Sequence, residues 1–268
     1  MMDEEDFIII KGAGDIASGV AHKLFRSGFP VVMTDIERPT CVRRNVSFAN
    51  CIYEGEWEIE GVRAKKAQTR DEVLQIAKGN RIPVLVDPFC RIKEDIPCSV
   101  LVDAVLAKKN IGTNKEDAPF VIGLGPGFYA GKDVDVVIET NRGHNLGKII
   151  FDGEAEPNTG VPGNIAGYGM ERVLRAPVRG IIRNNKGIGD QVNKADLIAW
   201  IGLTEVRATI DGVIRGLIYD GLEVHQGWKI GDIDPRPEAL RWTHTISDKA
   251  RCIGGGVLEA ILMKSWKK

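Results

Sequence analysis

The chain has 268 residues, 43% of them hydrophobic and 27% charged, which is the composition of a folded globular protein and excludes disorder as its default state. Lysine and arginine number 36 against 37 aspartates and glutamates, a formal net charge of -1, so no global basic field exists to hold nucleic acid or an anionic membrane. No apolar run approaches the roughly 20 residues of a membrane-spanning helix, and the acidic start MMDEED has the wrong charge for a signal peptide, so a cytoplasmic protein is expected.

Five cysteines (Cys41, Cys51, Cys90, Cys98, Cys252) include no C-x-x-C pair and suit reduced thiols better than a disulfide framework. The four histidines (His22, His144, His225, His244) show no metal-ligand spacing, so no metal site is expected.

From Phe7 to about Phe151, short β-rich runs alternate with helical stretches, a pattern that predicts an α/β sheet with helices on its faces. Strands are expected near 7–10, 31–34, 84–86, 100–102, 120–122 and 134–139. The first helix would place Ile16, Val20, Ala21, Leu24 and Phe25 on one stripe, with His22 facing solvent. EIEGVRAKK reads as a hairpin turning near Gly61, and Thr69 with Glu72 has the spacing of a capping box opening a helix through Leu74 and Ile76.

The turn KGAGDIASGVA follows the first strand and opens the first helix, the context that a G-x-G-x-x-A motif requires. Gly12 would permit the tight turn, Gly14 would let a phosphate approach the backbone, and Ala17 would let the helix sit close to the sheet. With Asp15 in the first turn, backbone N–H groups there would face an anion. Asp35 ends the second strand 21 residues after Gly14, where a carboxylate can accept from a ribose hydroxyl. Arg38, Arg43 and Arg44 follow and leave NAD against NADP open. The alternative is a tight structural turn that binds nothing.

The segment from Gly123 to Gly147 carries a second glycine-rich turn, with Gly125 and Gly127, after an apolar strand, and then Glu139, Asn141, Arg142 and His144. Glu139 and His144 are candidates for acid–base groups, and Gly125, Gly127 and Arg142 for cofactor contacts. The alternative is a polar, solvated loop. Asp87 and Asp103 each end an LVD run and either edge the same cleft or cap the next turn.

PNTGVPGNIAGYG is dense in Gly, Pro and Asn and reads as a boundary loop. Beyond it, APVRGII and ATIDGVI repeat at an offset of 32 residues, with seven identities in register from Ala176/Ala208 to Ile201/Ile233. Two copies predict a pair of intertwined β half-motifs closing one small domain. Over about 60 residues this resembles the barrel-sandwich domains of biotinyl and lipoyl carrier proteins. The linking residues Gly202, Leu203, Thr204 and Glu205 include no lysine, so no swinging-arm attachment is expected. Asp234, Pro235 and Arg236 read as a turn with an ion pair, and the end of the chain as a helix crossed by Gly254, Gly255 and Gly256, where a close backbone approach or a break is expected.

KGAGDIASGVAHKL, VVMTD, GLGPGF, ETNRGH, NTGVPG, RAPVRG, GDIDPR and TISDKARCIGGGVLEAIL together resemble accessory proteins of selenium-dependent molybdenum hydroxylases. A more distant similarity is to the xanthine dehydrogenase accessory factor, whose G-G-C-x-E signature meets Val257 where the cysteine would stand. The resemblance implies a maturation factor for a molybdenum hydroxylase, binding the dinucleotide form of the molybdenum cofactor or NAD(P).

Two rivals stand beside it: an NAD(P)-dependent oxidoreductase, and a non-catalytic adaptor docking a hydroxylase. The partners expected are a dinucleotide-type small molecule and, by the resemblance, a molybdenum hydroxylase, with no nucleic acid and no membrane, and a homo-oligomer is left open. The expected architecture is α/β: a Rossmann-like nucleotide-binding domain over 1–156, a linker over 157–170, a barrel-sandwich domain over 171–236 and a C-terminal helical segment over 237–268.

Overall fold

Ile8, Ile9 and Ile10 have no exposed surface, because the strand they form lies inside a sheet covered on both faces, as a continuous apolar run requires. The computed structural model describes residues 6–158 and 160–266. The chain divides into two compact units, one of residues 1–39, 47–158 and 246–268, the other of 40–46 and 159–245.

In the first unit the elements are β1 (Phe7–Lys11), α1 (Asp15–Arg26), β2 (Val31–Asp35), α2 (Cys51–Glu54), β3 (Glu56–Ile59), β4 (Val62–Ala67), α3 (Arg70–Lys78), β5 (Ile82–Val86), β6 (Cys98–Asp103), β7 (Val121–Leu124), β8 (Tyr129–Ala130), β9 (Val136–Ile138), β10 (Ile149–Ile150) and β11 (Gly153–Glu154). Nine strands form one sheet in the order β10-β9-β7-β6-β1-β2-β5-β4-β3. The strands from β9 to β4 run parallel, and β10 and β3 close the two ends antiparallel.

This corrects the Rossmann-like expectation. The sheet is mixed, and only α1 and α3 are α-helical crossovers of more than one turn; β5, β6 and β7 are followed by 3-10 turns and loops, so the two-faced helical cover of a doubly wound domain does not form. The alternation of strand and helix suggested that cover because apolar runs separated by polar stretches look alike whether the connection is a helix or an irregular loop.

Local signals otherwise act as their chemistry directs. Glu60 and Gly61 both adopt positive φ, 45° and 80°, as a two-residue hairpin turn between β3 and β4 demands. The Thr69 hydroxyl oxygen accepts from the Glu72 N–H at 3.2 Å and starts α3. His22, expected in solvent, is 4% exposed. The β3–β4 turn reaches over it, with the Glu60 carbonyl 3.4 Å from its Nε2, and burial pushes its pKa down.

The second unit holds β12 (Val173–Arg175), β13 (Gly180–Asn184), β14 (Gln191–Val192), β15 (Leu197–Ile201), β16 (Thr204–Arg207), β17 (Gly212–Leu217), β18 (Glu223–Val224), β19 (Lys229–Asp234) and the short α4 (Ala239–Trp242). They make two antiparallel sheets of four strands, β12-β19-β17-β14 and β16-β15-β13-β18. Each copy of the 32-residue repeat gives two strands to each sheet, which places Ile182, Ile198, Ile201, Ile214, Ile230 and Ile233 in the interior.

The carrier-type barrel-sandwich expectation is corrected to these two sheets, joined by an incoming segment, 40–46, that sequence adjacency could not reveal. Gly216 makes room for that segment, and the Leu217 N–H donates to the Val42 carbonyl at 2.8 Å. Asp232 is fully buried and meets Arg172 and Arg215, each at 2.5 Å, and Lys229 at 3.4 Å. Arg236 pairs with Asp234 through two contacts of 2.9 and 2.7 Å.

The chain then returns to the first unit as α5 (Asp248–Trp266), which lies along α1. Gly254 to Gly256 do not break it. A Cβ on Gly19 would sit 2.6 Å from that of Ala250, and one on Gly254 3.1 Å from the Gly19 carbonyl oxygen, so the missing side chains set the approach of the two helices.

Candidate functional site

The carboxyl ends of β1, β2, β6, β7 and β9 lie side by side, where ligands bind in open parallel sheets. Gly12 leaves β1 at φ 101°, and a Cβ there would stand 3.0 Å from the Ala104 carbonyl oxygen, so its glycine is required by conformation and packing together. Gly14, the N-cap of α1, differs. Its φ of -65° is open to any residue, and a Cβ on it would meet nothing within 4 Å. No side chain caps the helix there; the Asp15 carboxylate accepts from the Ile16 N–H at 3.0 Å. Ala17 is buried at 1% exposure, as its place against the sheet requires.

Asp35 is drawn to the same turn. Its Oδ2 accepts from the Ala13 N–H at 2.8 Å and its Oδ1 from the Ile36 N–H at 2.7 Å. Burial pushes its carboxyl up, although these two N–H groups pull the other way. Beneath the turn lies a buried group that sequence reading missed in part. Lys11 Nζ donates to Thr113 Oγ1 at 2.9 Å, Thr113 Oγ1 donates to Asp103 Oδ2 at 2.6 Å, and lysine and carboxylate stand 3.3 Å apart. The signal for Lys11 was a cation directly behind four apolar residues, a place where a lysine is buried and must be paired. Asp87 caps its own turn, accepting from the Ile92 N–H at 2.9 Å.

The second glycine-rich turn is held by close contacts. A Cβ on Gly125 would lie 2.5 Å from Thr140 Oγ1, and one on Gly127 2.6 Å from the Lys109 Cα. Glu139 is 2% exposed and its two oxygens accept from the N–H groups of Thr140, Asn141 and Glu156 at 2.6, 2.6 and 2.8 Å. That arrangement fixes loops and leaves the carboxylate little room for proton transfer to a ligand. Arg142 grips Asp248 through two contacts of 2.7 and 3.0 Å. His144 is exposed and does not line the cavity described next.

That cavity, of about 120 Å³, is lined by Leu106, Lys108, Pro126, Thr140, Asn141, Glu156, Asn158 and Lys249. Lys249 comes from the first turn of α5, so no local pattern pointed to it. Burial pushes its pKa down, and the charge of Arg142 adds to this against the opposing pull of Asp15, Glu139 and Asp248. Among the described residues no group of three or more His, Cys, Asp and Glu side chains is placed to hold a metal ion, and no helix is long and apolar enough to cross a membrane.

No family model matches the chain. It is 52% identical over 256 residues, 96% of its length, to the uncharacterized protein YqeB of Escherichia coli (strain K12). The match covers 47% of that relative, so the chain spans about half the length of the curated relative it matches. Among solved structures it is 10% identical to an aspartoacylase family protein from Mesorhizobium loti, covering 87% of this chain and 86% of that one at a TM-score of 0.29. It is 14% identical to the product-bound ectoine utilization protein EutE of Ruegeria pomeroyi, with the same coverage and a TM-score of 0.27.

The relative is described only as uncharacterized and nothing in it points to a molybdenum hydroxylase accessory protein, so the resemblance built on ETNRGH, NTGVPG and GDIDPR is corrected accordingly. With it go the maturation role, the selenium dependence and the rival functions framed beside them. Short Gly-, Pro- and Asn-rich blocks suited that family because turns in unrelated chains draw on the same few residues.

Proposed function

We propose that the first unit binds a nucleotide-type ligand, its phosphate at the β1–α1 turn formed by Gly12, Gly14, Asp15 and Ala17 and its ribose toward Asp35. Gly14 carries this reading. Neither its backbone conformation nor its packing calls for glycine, and the space in front of it opens onto the uncapped end of a 12-residue helix. A phosphate approaching the backbone there would meet the positive end of the helix dipole and the first-turn N–H groups, of which that of Ile16 is held by Asp15 until a ligand displaces it. Asp35 supports it as a carboxylate already fixed against the turn. The ligands of this class are NAD(P) or the dinucleotide form of the molybdenum cofactor, and a small molecule of that kind is the partner proposed. The thiols of Cys51, Cys90 and Cys98 form no disulfide, which supports a reducing, cytoplasmic setting.

The test is Gly14→Asp. Aspartate is at least as good an N-cap as glycine, so the variant should fold as well as the parent or better. Its carboxylate would stand in the phosphate position and should abolish binding of NAD(H) and NADP(H) in calorimetry and of any dinucleotide retained in native mass spectrometry. Unchanged binding in that variant, or no nucleotide bound by the parent, would sink the assignment.

A further inference from the structure

Lys249 and Lys108 both line the cavity between the loops after β6, β7 and β9, and neither makes an ion pair or a side-chain hydrogen bond among the described residues. The carboxylates nearby are committed. Glu139 holds three backbone N–H groups, Asp248 holds Arg142 in a two-point pair, and Glu156, which also lines the cavity, accepts from the side-chain amides of Asn141 at 2.5 Å and Asn145 at 3.4 Å. Thr140 is 6% exposed as a residue, lines the same cavity and makes no hydrogen bond through its hydroxyl among the described residues, so that oxygen is available to a ligand in the cavity.

The loop that carries Lys108 is held in an uncommon shape. Leu106 and Lys108 adopt left-handed φ values of 59° and 65°, and Gly127 is pressed against the backbone of Lys109. Such conformations persist where the surroundings enforce them.

We propose that Lys249, Lys108 and the Thr140 hydroxyl form a binding subsite for a small oxyanion group, a carboxylate or a phosphate. Two ammonium groups and one hydroxyl supply donors only, apart from the hydroxyl lone pairs, and a cavity of this size takes one such group with a water or two. Burial, with the charge of Arg142 added, pushes the Lys249 pKa down despite the pull of Asp15, Glu139 and Asp248, and an anion arriving in the cavity would push it back up. The subsite does not rest on the nucleotide reading, because none of its residues belongs to the β1–α1 turn.

Lysine acylation read residue by residue in the full chain tests this. The free protein is treated with an acetylating reagent at pH 8, with and without phosphate or malonate, and the exposed Lys132 serves as internal control. We expect phosphate, malonate or both to slow modification of Lys249 by about tenfold or more, the worth of one charge-assisted hydrogen bond, and to leave Lys132 unchanged. Protection by phosphate alone or malonate alone identifies the group the subsite takes. Thr140→Val keeps the shape of the side chain and should weaken the protecting anion several-fold, and Lys249→Gln should remove its binding in calorimetry. Failure of both anions to protect Lys249, or equal binding by the parent and Lys249→Gln, would overturn the proposal.

Discussion

Three successive glycines in α5 meet three different surroundings, and alanine at each should give three different results. At Gly255 no atom lies within 4 Å of the position of a Cβ. Alanine there should stabilise the helix by about 1 kcal/mol, the difference in helix propensity. At Gly254 the nearest atom is the Gly19 carbonyl oxygen at 3.1 Å, with Lys23 Cβ at 3.3 Å. The helices would have to part by a few tenths of an ångström, and the propensity gain should roughly cancel that cost.

At Gly256 the Cβ would fall 2.1 Å from the Gly147 carbonyl oxygen, about 1.3 Å short of the 3.4 Å at which ordinary contact begins. Gly147 cannot retreat freely, since its own φ is 80° and it lies against Cys252. Overpacking of this kind costs about 3 kcal/mol when backbone meets backbone, leaving a net loss near 2 kcal/mol after the helix gain. The two extremes should therefore differ by about 3 kcal/mol, or roughly 6–12 °C in Tm for a protein of this size. Urea titrations of the three variants, followed by far-UV circular dichroism, provide the measurement. Equal midpoints for Gly255→Ala and Gly256→Ala would refute the packing argument.

The remaining predictions concern buried charge. Asp103→Ala should destabilise the first unit by about 3–5 kcal/mol in the same titration, because it leaves the Lys11 ammonium buried without its carboxylate, and Lys11→Met combined with Asp103→Leu should recover much of the loss. In the second unit, burial pushes the Asp232 carboxyl up, but Lys229, Arg215 and Arg172 outweigh burial and hold it below the usual range. Its folded pKa is thus the lower one, and the unfolded chain binds more protons between the two values. The stability it contributes is present above the unfolded pKa, about 3.9, and is lost as pH falls through the folded value. Thermal melts from pH 5 downward should show a shallower acid limb in Asp232→Asn than in the parent, and identical slopes would exclude this carboxylate as the source.

How much of this was legible beforehand can be argued from particular residues. β1, the glycine turn behind it, the Glu60–Gly61 hairpin and the Thr69 cap were readable because a run of buried β-branched residues, a φ that only certain residues tolerate and a hydroxyl three residues before a free N–H are local matters. The 32-residue repeat was readable for a related reason, since two copies of one apolar pattern build matching strands wherever they pair. Tertiary structure decided the rest. His22 is buried by a hairpin some 40 residues away in sequence, Glu139 is used up by the loops it holds, and the glycines of α5 are explained by Gly19 and Gly147. Lys249 reaches its cavity only because the last helix returns to the first unit, and the character of the sheet edges and of the connections after β5, β6 and β7 has no distinct local signature. Sequence fixes what each short segment prefers through sterics and hydrogen bonding of near neighbours, whereas burial and charge pairing depend on which distant segments share a place, and these settle what a titratable side chain can do.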